Sequence, residues 1–287
     1  MDPVKVRNTI LAKVRDLPTL PNVIHKVLTL VRDESTSAKK LGDLISYDQA
    51  ISSRLLKVAN SAYYGFMHEI ATVQHAIVMM GFKEIKNLAT GIAVFDTMRG
   101  DNSETSLMRE EFWMHSMGCA LAGQIICKKV GGVDAGTSFT SSLLHDIGKL
   151  VLDVALTQEY VKVVEKVRVS GVSMVDAEQE ILGFNHADVG RWLCEKWKFP
   201  PILVSPISFH HHVDMVDVNY MGITSIVHLA DILCKRAQIG SGGDNHIPVI
   251  QPHAQKHLKL KEDDLEKMVV QLKQEEDKAN SFLSAIK

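Results

Sequence analysis

Residues 141–150 read SSLLHDIGKL. Two serines and two leucines lead into an adjacent imidazole and carboxylate, His145 and Asp146. Gly148, Lys149 and a further leucine follow. An apolar frame of this kind belongs inside a protein. Neither an imidazole nor a carboxylate goes there unaccompanied, because an unpaired polar group costs roughly 2–7 kcal/mol to bury and a charge costs more. How the chain satisfies that pair governs both its fold and its chemistry.

On either side the apolar period is helical. Ile24, Val27, Leu28 and Val31 repeat at helical spacing, as do Ile51, Leu55 and Val58 behind Asp48, a good N-cap. Thr72 opens Val73–Ile77–Met80, Gly81 closes it, and Phe82, Ile85, Leu88, Ile92 and Phe95 continue one stripe. Val161, Val164 and Val167 precede Gly171, and Ser173 with Asp176 resembles a capping box. Asn185 can cap a helix carrying Val189, Leu193 and Trp197, which Pro200 and Pro201 stop. Ile223–Lys235 is apolar and helical. HIPVI (246–250) is the sole strand candidate. The fold class expected is all-α.

Two polar, turn-rich stretches, Arg99–Ser106 and Gly240–Asn245, divide the chain. The expected organisation is an N-terminal helical lobe over 1–100 and a His-rich helical lobe over 105–240. A loop and helical tail follow over 241–287, with Leu265, Val269 and Leu272 on one face.

A chain of 287 residues with 46% hydrophobic and 23% charged residues is globular and can bury a large core. A net charge of −2 excludes a general nucleic-acid coat. Cys119, Cys127, Cys194 and Cys234 form no CxxC pair and read as small buried hydrophobes in a reducing compartment. Lys5, Arg7, Lys13 and Arg15 break up any leader-like apolar core. The longest stretch free of Asp, Glu, Lys and Arg, Phe112–Cys127, is too short to span a membrane. A cytoplasmic location is expected.

Thirteen histidines stand out, most of them in the second half. Glu111 and His115 (EFWMH) are four apart and share a helix face. His186 follows a cap in FNHADVG, His210 and His211 lie in PISFHHHVD, and Asp231 lies in IVHLADIL. Several such groups on core-facing helices call for a shared partner, and a divalent cation would satisfy them together. Imidazole and carboxylate without thiolate suit Fe, Mn, Ni, Co or Zn. A carboxylate such as Asp146 can bridge two cations about 3.5–4 Å apart, the arrangement of two-metal phosphoryl chemistry.

SSLLHDIGKL resembles the signature of the HD superfamily of metal-dependent phosphohydrolases. The order Glu111, His115, His145-Asp146, His186, His210-His211, Asp231 is similar to the ligand set of its HD-GYP branch. LPTLPNVIHKVLTLVRD (17–33), ISYDQAISSRLLKVANSAYYG (45–65) and TVQHAIVMMGFKEIKNLATGIAV (72–94) resemble the HDOD domain, the HD-related output domain of bacterial signalling proteins. The resemblance covers about 1–240.

The two branches imply different things. HD-GYP implies a phosphodiesterase cleaving cyclic dinucleotides; in a catalytic site of two metals Asp146 would bridge and Lys149, one turn past the ligands, would neutralise a phosphate oxygen, both as catalytic residues. HDOD implies a regulatory module with a signalling partner, in which a metal would be structural or sensory. The chain keeps the ligand types but departs from HD-GYP after the histidine pair. His212-Val213-Asp214 stands where that branch has an acidic residue and Gly-Tyr-Pro, a tripeptide absent from this sequence.

The expected ligand is a phosphodiester or nucleotide, with neither bulk nucleic acid nor membrane as partner. The I-x-x-H-H pattern favours His210 and His211 over His212. Glu111 is either a ligand or a carboxylate that holds one. His228 is read as a supporting or core histidine, Met79-Met80 as core, and Tyr63–Phe66 as an aromatic loop that packs between the lobes or, if exposed, meets a partner.

Overall fold

The computed structural model describes residues 10, 12, 19–30, 34–98 and 107–287. The basic residues of the chain start, Val31, and the polar stretch Arg99–Ser106 lie outside them. In chain order the helices are α1 (Asn22–Thr29), α2 (Glu34–Ser46), α3 (Gln49–Ala59), α4 (Val73–Met80), α5 (Phe82–Met98), α6 (Arg109–Val130), α7 (Ala135–Leu144) and α8 (Ile147–Ala155). Then follow α9 (Thr157–Ser170), α10 (Met174–Leu182), α11 (His186–Lys196), α12 (Pro201–Phe209), α13 (Met221–Ala237), α14 (Pro252–Leu258), α15 (Glu262–Gln274) and α16 (Glu276–Ile286). The fold is all-α, and no described residue lies in a strand. HIPVI is irregular: it meets no partner strand, and Pro248 has no N–H to give to one.

The chain forms two compact units, Pro18–Arg99 with Glu275–Lys287, and Met1–Leu17 with Gly100–Gln274. In the smaller unit α5 is the centre, against which α1, α2, α3 and α4 pack, and α16 packs on α3. The caps follow the sequence. Asp48 accepts from Ile51 N, Thr72 accepts from His75 N, and Gly81 ends α4 at φ 90°. Asn60 donates to Ile70 O (2.9 Å) and accepts from Ile70 N (2.7 Å), clamping the loop between them. Within that loop Tyr63 packs edge-on against Phe282 of α16, and Tyr64 donates to Glu84 (2.8 Å). The aromatic loop is therefore packed within this unit, in place of the expected inter-lobe or partner contact, because Phe282 and Glu84 supply its partners. Met79 is not core: it exposes 49% of its surface, because α4 buries Val73, Ala76 and Ile77 instead.

In the larger unit α13 is buried nearly end to end, with α6, α7, α12, α14 and α15 around it. Helix α9 presents Tyr160, Val163 and Val167 to the core, one step round from the expected Val161–Val164–Val167 face. Tyr160 sets the rotation, since its hydroxyl donates to the buried Glu178 (2.8 Å). Ser173 caps α10, and Asn185 with Asp188 makes a full capping box at α11. Leu265, Met268 and Leu272 of α15 are buried, packing on α6 and α13, while the expected Val269 is only half-buried at the edge of that face.

Helices α8 and α11 cross where Gly148 meets Gly190. A Cβ on Gly148 would lie 1.9 Å from His186 O and 2.7 Å from Gly190 N. Both atoms are backbone and cannot yield, so the crossing that carries Asp146 and His186 together requires glycine. Gly148→Ala is expected to destabilise the larger unit by at least about 3 kcal/mol, the upper range for overpacking, as read from urea denaturation.

Candidate metal centre

Helix ends build the site. His145 and Asp146 occupy the joint between α7 and α8, so both side chains leave the chain at one point. His186 opens α11 and His210 caps the C-terminus of α12, while His115 and Asp231 come from within α6 and α13. All six are buried, none more than 4% exposed.

The two oxygens of Asp146 face different histidines. Oδ2 lies 3.3 Å from His145 Nε2 and 3.9 Å from His115 Nε2. Oδ1 lies 3.1 Å from His186 Nε2 and 3.7 Å from His210 Nε2. Asp231 Oδ1 joins the first set, 3.2 Å from His115 Nε2 and 3.9 Å from His145 Nε2. His211, partly exposed, reaches the second, its Nε2 2.9 Å from that of His186. Metal-ligating atoms thus fall into two groups, His115, Cys119, His145 and Asp231, and Asp146, His186, His210 and His211.

Outer contacts aim the imidazoles. His145 Nδ1 donates to Ser142 O (2.7 Å) and His210 Nδ1 to Ile207 O (3.0 Å), which leaves each Nε2 to face inward with its lone pair. His186 Nδ1 donates to Glu178 Oε2 (2.6 Å), which also accepts the His186 amide (2.8 Å). His228 uses both ring nitrogens elsewhere, donating to His210 O (2.8 Å) and accepting from Gln251 N (3.0 Å). It supports His210 and does not enter the site.

Four inward atoms find no hydrogen-bond partner: His145 Nε2, Asp146 Oδ1, His210 Nε2 and Asp231 Oδ1. Each buried orphan costs about 1–3 kcal/mol, so four converging on one space point to something that satisfies them jointly. An electrophile that accepts lone pairs from imidazole and carboxylate together is a metal cation, and the donor set fits one.

The imidazoles of the centre differ in how readily they hold a proton. Burial opposes charge on His115, but Cys119 and Asp231 outweigh it and hold the imidazole at about 10. Burial likewise opposes charge on His186, yet Glu178 and Asp146 bring it to about 9. Burial dominates at His210 and lowers it to about 4, leaving a neutral ligand. Burial lowers His211 as well, so the imidazoles of the centre do not share one charge preference.

The model of the HDOD domain family matches residues 17–213. The chain belongs to the HDOD domain family. The solved HDOD domain protein of Geobacter sulfurreducens, of unknown function, is 22% identical, covers 97% of this chain and 98% of its own, and superposes with a TM-score of 0.79. A Shewanella amazonensis protein provisionally named a phosphohydrolase is 24% identical, with the same coverage and a TM-score of 0.74. At these identities the likeness is one of fold. An uncharacterized Treponema pallidum protein is 22% identical over 229 residues, 79% of this chain but 44% of its own length. The HDOD chain therefore spans less than half of that relative.

Of the site residues read from the HDOD sequence, the structure brings together His115, His145, Asp146, Lys149, His186, His210, His211 and Asp231. His212 is exposed. Glu111 does not join them. Its side chain is exposed, since α6 runs past the centre and the turn before His115 lies beyond it. Only its carbonyl contributes, accepting from Ser241 N (3.0 Å). Lys149 is buried and engaged, 2.6 Å from Asp146 Oδ2 and 2.8 Å from Gly242 O.

Sequence reasoning missed Cys119, although i+4 from His115 on one helix was a usable signal. It also missed Glu178, Lys235, Gln251 and the 240–245 stretch, which only folding brings near. Lys235 Nζ lies 3.8 Å from Asp231 Oδ2 and 3.0 Å from the buried Asp244. The glycine stretch sits on the site: a Cβ on Gly242 would be 3.2 Å from Asp146 Oδ2 and 3.2 Å from His115 Nε2.

Glu178→Gln weakens the acceptor that orients His186. It is expected to lower affinity for a divalent cation about 10–100-fold, the usual scale for such partners, with helical content unchanged. Competition against a chromophoric chelator checks this.

Proposed function

We propose that this HDOD protein is a signal-transduction component whose larger unit holds two divalent cations in a centre of the phosphohydrolase type, acting on a nucleotide or another phosphodiester. The observation that carries the reading is Asp146, whose two oxygens address two separate histidine sets from one buried position. His115, His145 and Asp231 would hold one cation, and His186, His210 and His211 the other, with Asp146 shared. Fe, Mn, Ni, Co and Zn all suit such donors. A bound pair would supply an activated water near neutral pH and positive charge for phosphoryl oxygens.

The chain's own residues do the rest. Ser142 and Ile207 carbonyls fix His145 and His210 in the tautomer that offers Nε2. Glu178 holds His186. Lys149 compensates the Asp146 charge, and its ammonium would turn to a phosphate oxygen once Gly242 withdraws and releases it. Access to substrate thus depends on the 240–245 stretch.

One observation favours a second, non-enzymatic reading. All the inward donors except His211 are buried, and Gly242 closes over them, as expected of a structural or sensory metal. Purified chain is expected to carry about two cations by elemental analysis, and to hydrolyse at least one member of a phosphodiester and nucleotide panel. His145→Ala should then lower the rate by at least about 100-fold, the scale of losing an electrostatic or metal contribution. Loaded protein inert across the panel would transfer the reading to the non-enzymatic module. Protein that takes up no metal would exclude both.

A further inference from the structure

One of the two groups contains an atom that an imidazole–carboxylate centre does not need. Cys119 lies one turn after His115 on α6, and its Sγ is 3.5 Å from His115 Nε2. Both side chains are buried to within 1%. The same Nε2 is 3.2 Å from Asp231 Oδ1, and all four potential ligand atoms of His115, Cys119, His145 and Asp231 lie within 4.8 Å of one another.

These spacings carry information. Tetrahedral bonds of about 2.0–2.1 Å to nitrogen or oxygen and about 2.3 Å to sulfur place neighbouring nitrogen and oxygen atoms about 3.3 Å apart, and nitrogen and sulfur about 3.6 Å apart. The observed 3.2 and 3.5 Å around His115 fit such bonds, and the 3.9 Å between His145 Nε2 and Asp231 Oδ1 would close by a few tenths of an ångström around an ion. Two atoms of the group, His145 Nε2 and Asp231 Oδ1, are buried with no hydrogen-bond partner, so the sulfur does not stand alone. The neighbouring thiol of Cys234 touches Cys119 but donates to His115 O (3.4 Å) and Ile239 O (3.3 Å), which turns it away from the imidazole edge. It is Cys119 that faces the imidazole edge.

We propose that Cys119 is a metal ligand, adding a thiolate to the His115 and His145 imidazoles and the Asp231 carboxylate beside the shared Asp146, while the other position stays all nitrogen and oxygen. The inference rests on the metal-centre reading above. Ligation costs the thiol its proton, released to solvent as the metal–sulfur bond forms. The two positions then differ in kind. A thiolate favours zinc or another thiophilic divalent ion over magnesium or manganese, whereas His186, His210, His211 and Asp146 have no such preference.

The test uses the full chain stripped by chelator and titrated with cobalt(II), a coloured stand-in for zinc. Wild type is expected to develop visible ligand-field bands together with an intense near-ultraviolet thiolate-to-cobalt band. Cys119→Ser should lose the ultraviolet band, keep visible bands, and bind one zinc at least about tenfold more weakly. Cys234→Ser should keep both signals. Zinc-edge X-ray absorption of wild type, which needs no variant, should show a sulfur neighbour at about 2.3 Å. Visible bands without the ultraviolet band in wild type, or its survival in Cys119→Ser, overturns the role of Cys119 and leaves the metal centre standing. No cobalt uptake at all overturns both.

Discussion

Asp146 and Asp231 are negative charges held where water does not reach, and the larger unit is arranged around compensating them. Each is met by an ammonium, Lys149 at 2.6 Å and Lys235 at 3.8 Å, and by inward-facing imidazoles. Burial alone would push both carboxyls up. The surrounding imidazoles and ammoniums reverse this, His145 and Lys149 foremost at Asp146 and Lys235 at Asp231, and hold both well below the ordinary carboxylate range. Coulombic attraction in a low-dielectric interior is strong but repays desolvation only when geometry is complete. Here it is complete on the ammonium side and open on the imidazole side, where four atoms remain without partners. The fold is stable around one half of a charge balance, and the other half is the place for chemistry.

That asymmetry explains why several residues outside the centre are as constrained as those within it. Gly148 lets two backbones touch so that Asp146 and His186 share a space. Tyr160 and the His186 amide and ring fill the valences of Glu178, leaving that buried carboxylate no freedom to rotate away. Gln251 accepts from Val213 N, donates to His211 O, and gives its amide to His228, which fixes the turn that bears the histidine pair. Preorganisation of this kind places lone pairs before any ligand arrives.

Much of this was legible in the sequence, for identifiable reasons. Local signals were read well: Asp48, Thr72, Ser173 and Asn185 cap the helices expected, because a cap depends on residues three or four apart. His145-Asp146 announced a buried charge because the flanking leucines left no other place for it. What failed was whatever depended on tertiary contact. Valines surround α9, so period alone could not fix its rotation, and Tyr160 decided it through a bond to another helix. Gly240–Asn245 has the composition of a linker, yet it covers the centre, because glycines that mark flexibility also permit close approach. Glu111 shares spacing with His115 but not its depth, and spacing says nothing of depth. The HDOD family match ends at residue 213, so Asp231, Lys235 and the glycine stretch stand on the geometry of this chain.

Helices α15 and α16 are separated by one residue, yet α15 packs on α6 and α13 while α16 packs on α3 and brings Phe282 against Tyr63. A segment near residue 280 thereby closes a hydrophobic core whose other helices end by residue 98. On the ribosome the early unit must wait, incompletely covered, while nearly two hundred further residues are made. During that interval the apolar surface that Phe282 and its helix cover stays open to water, and the unit lacks part of its core.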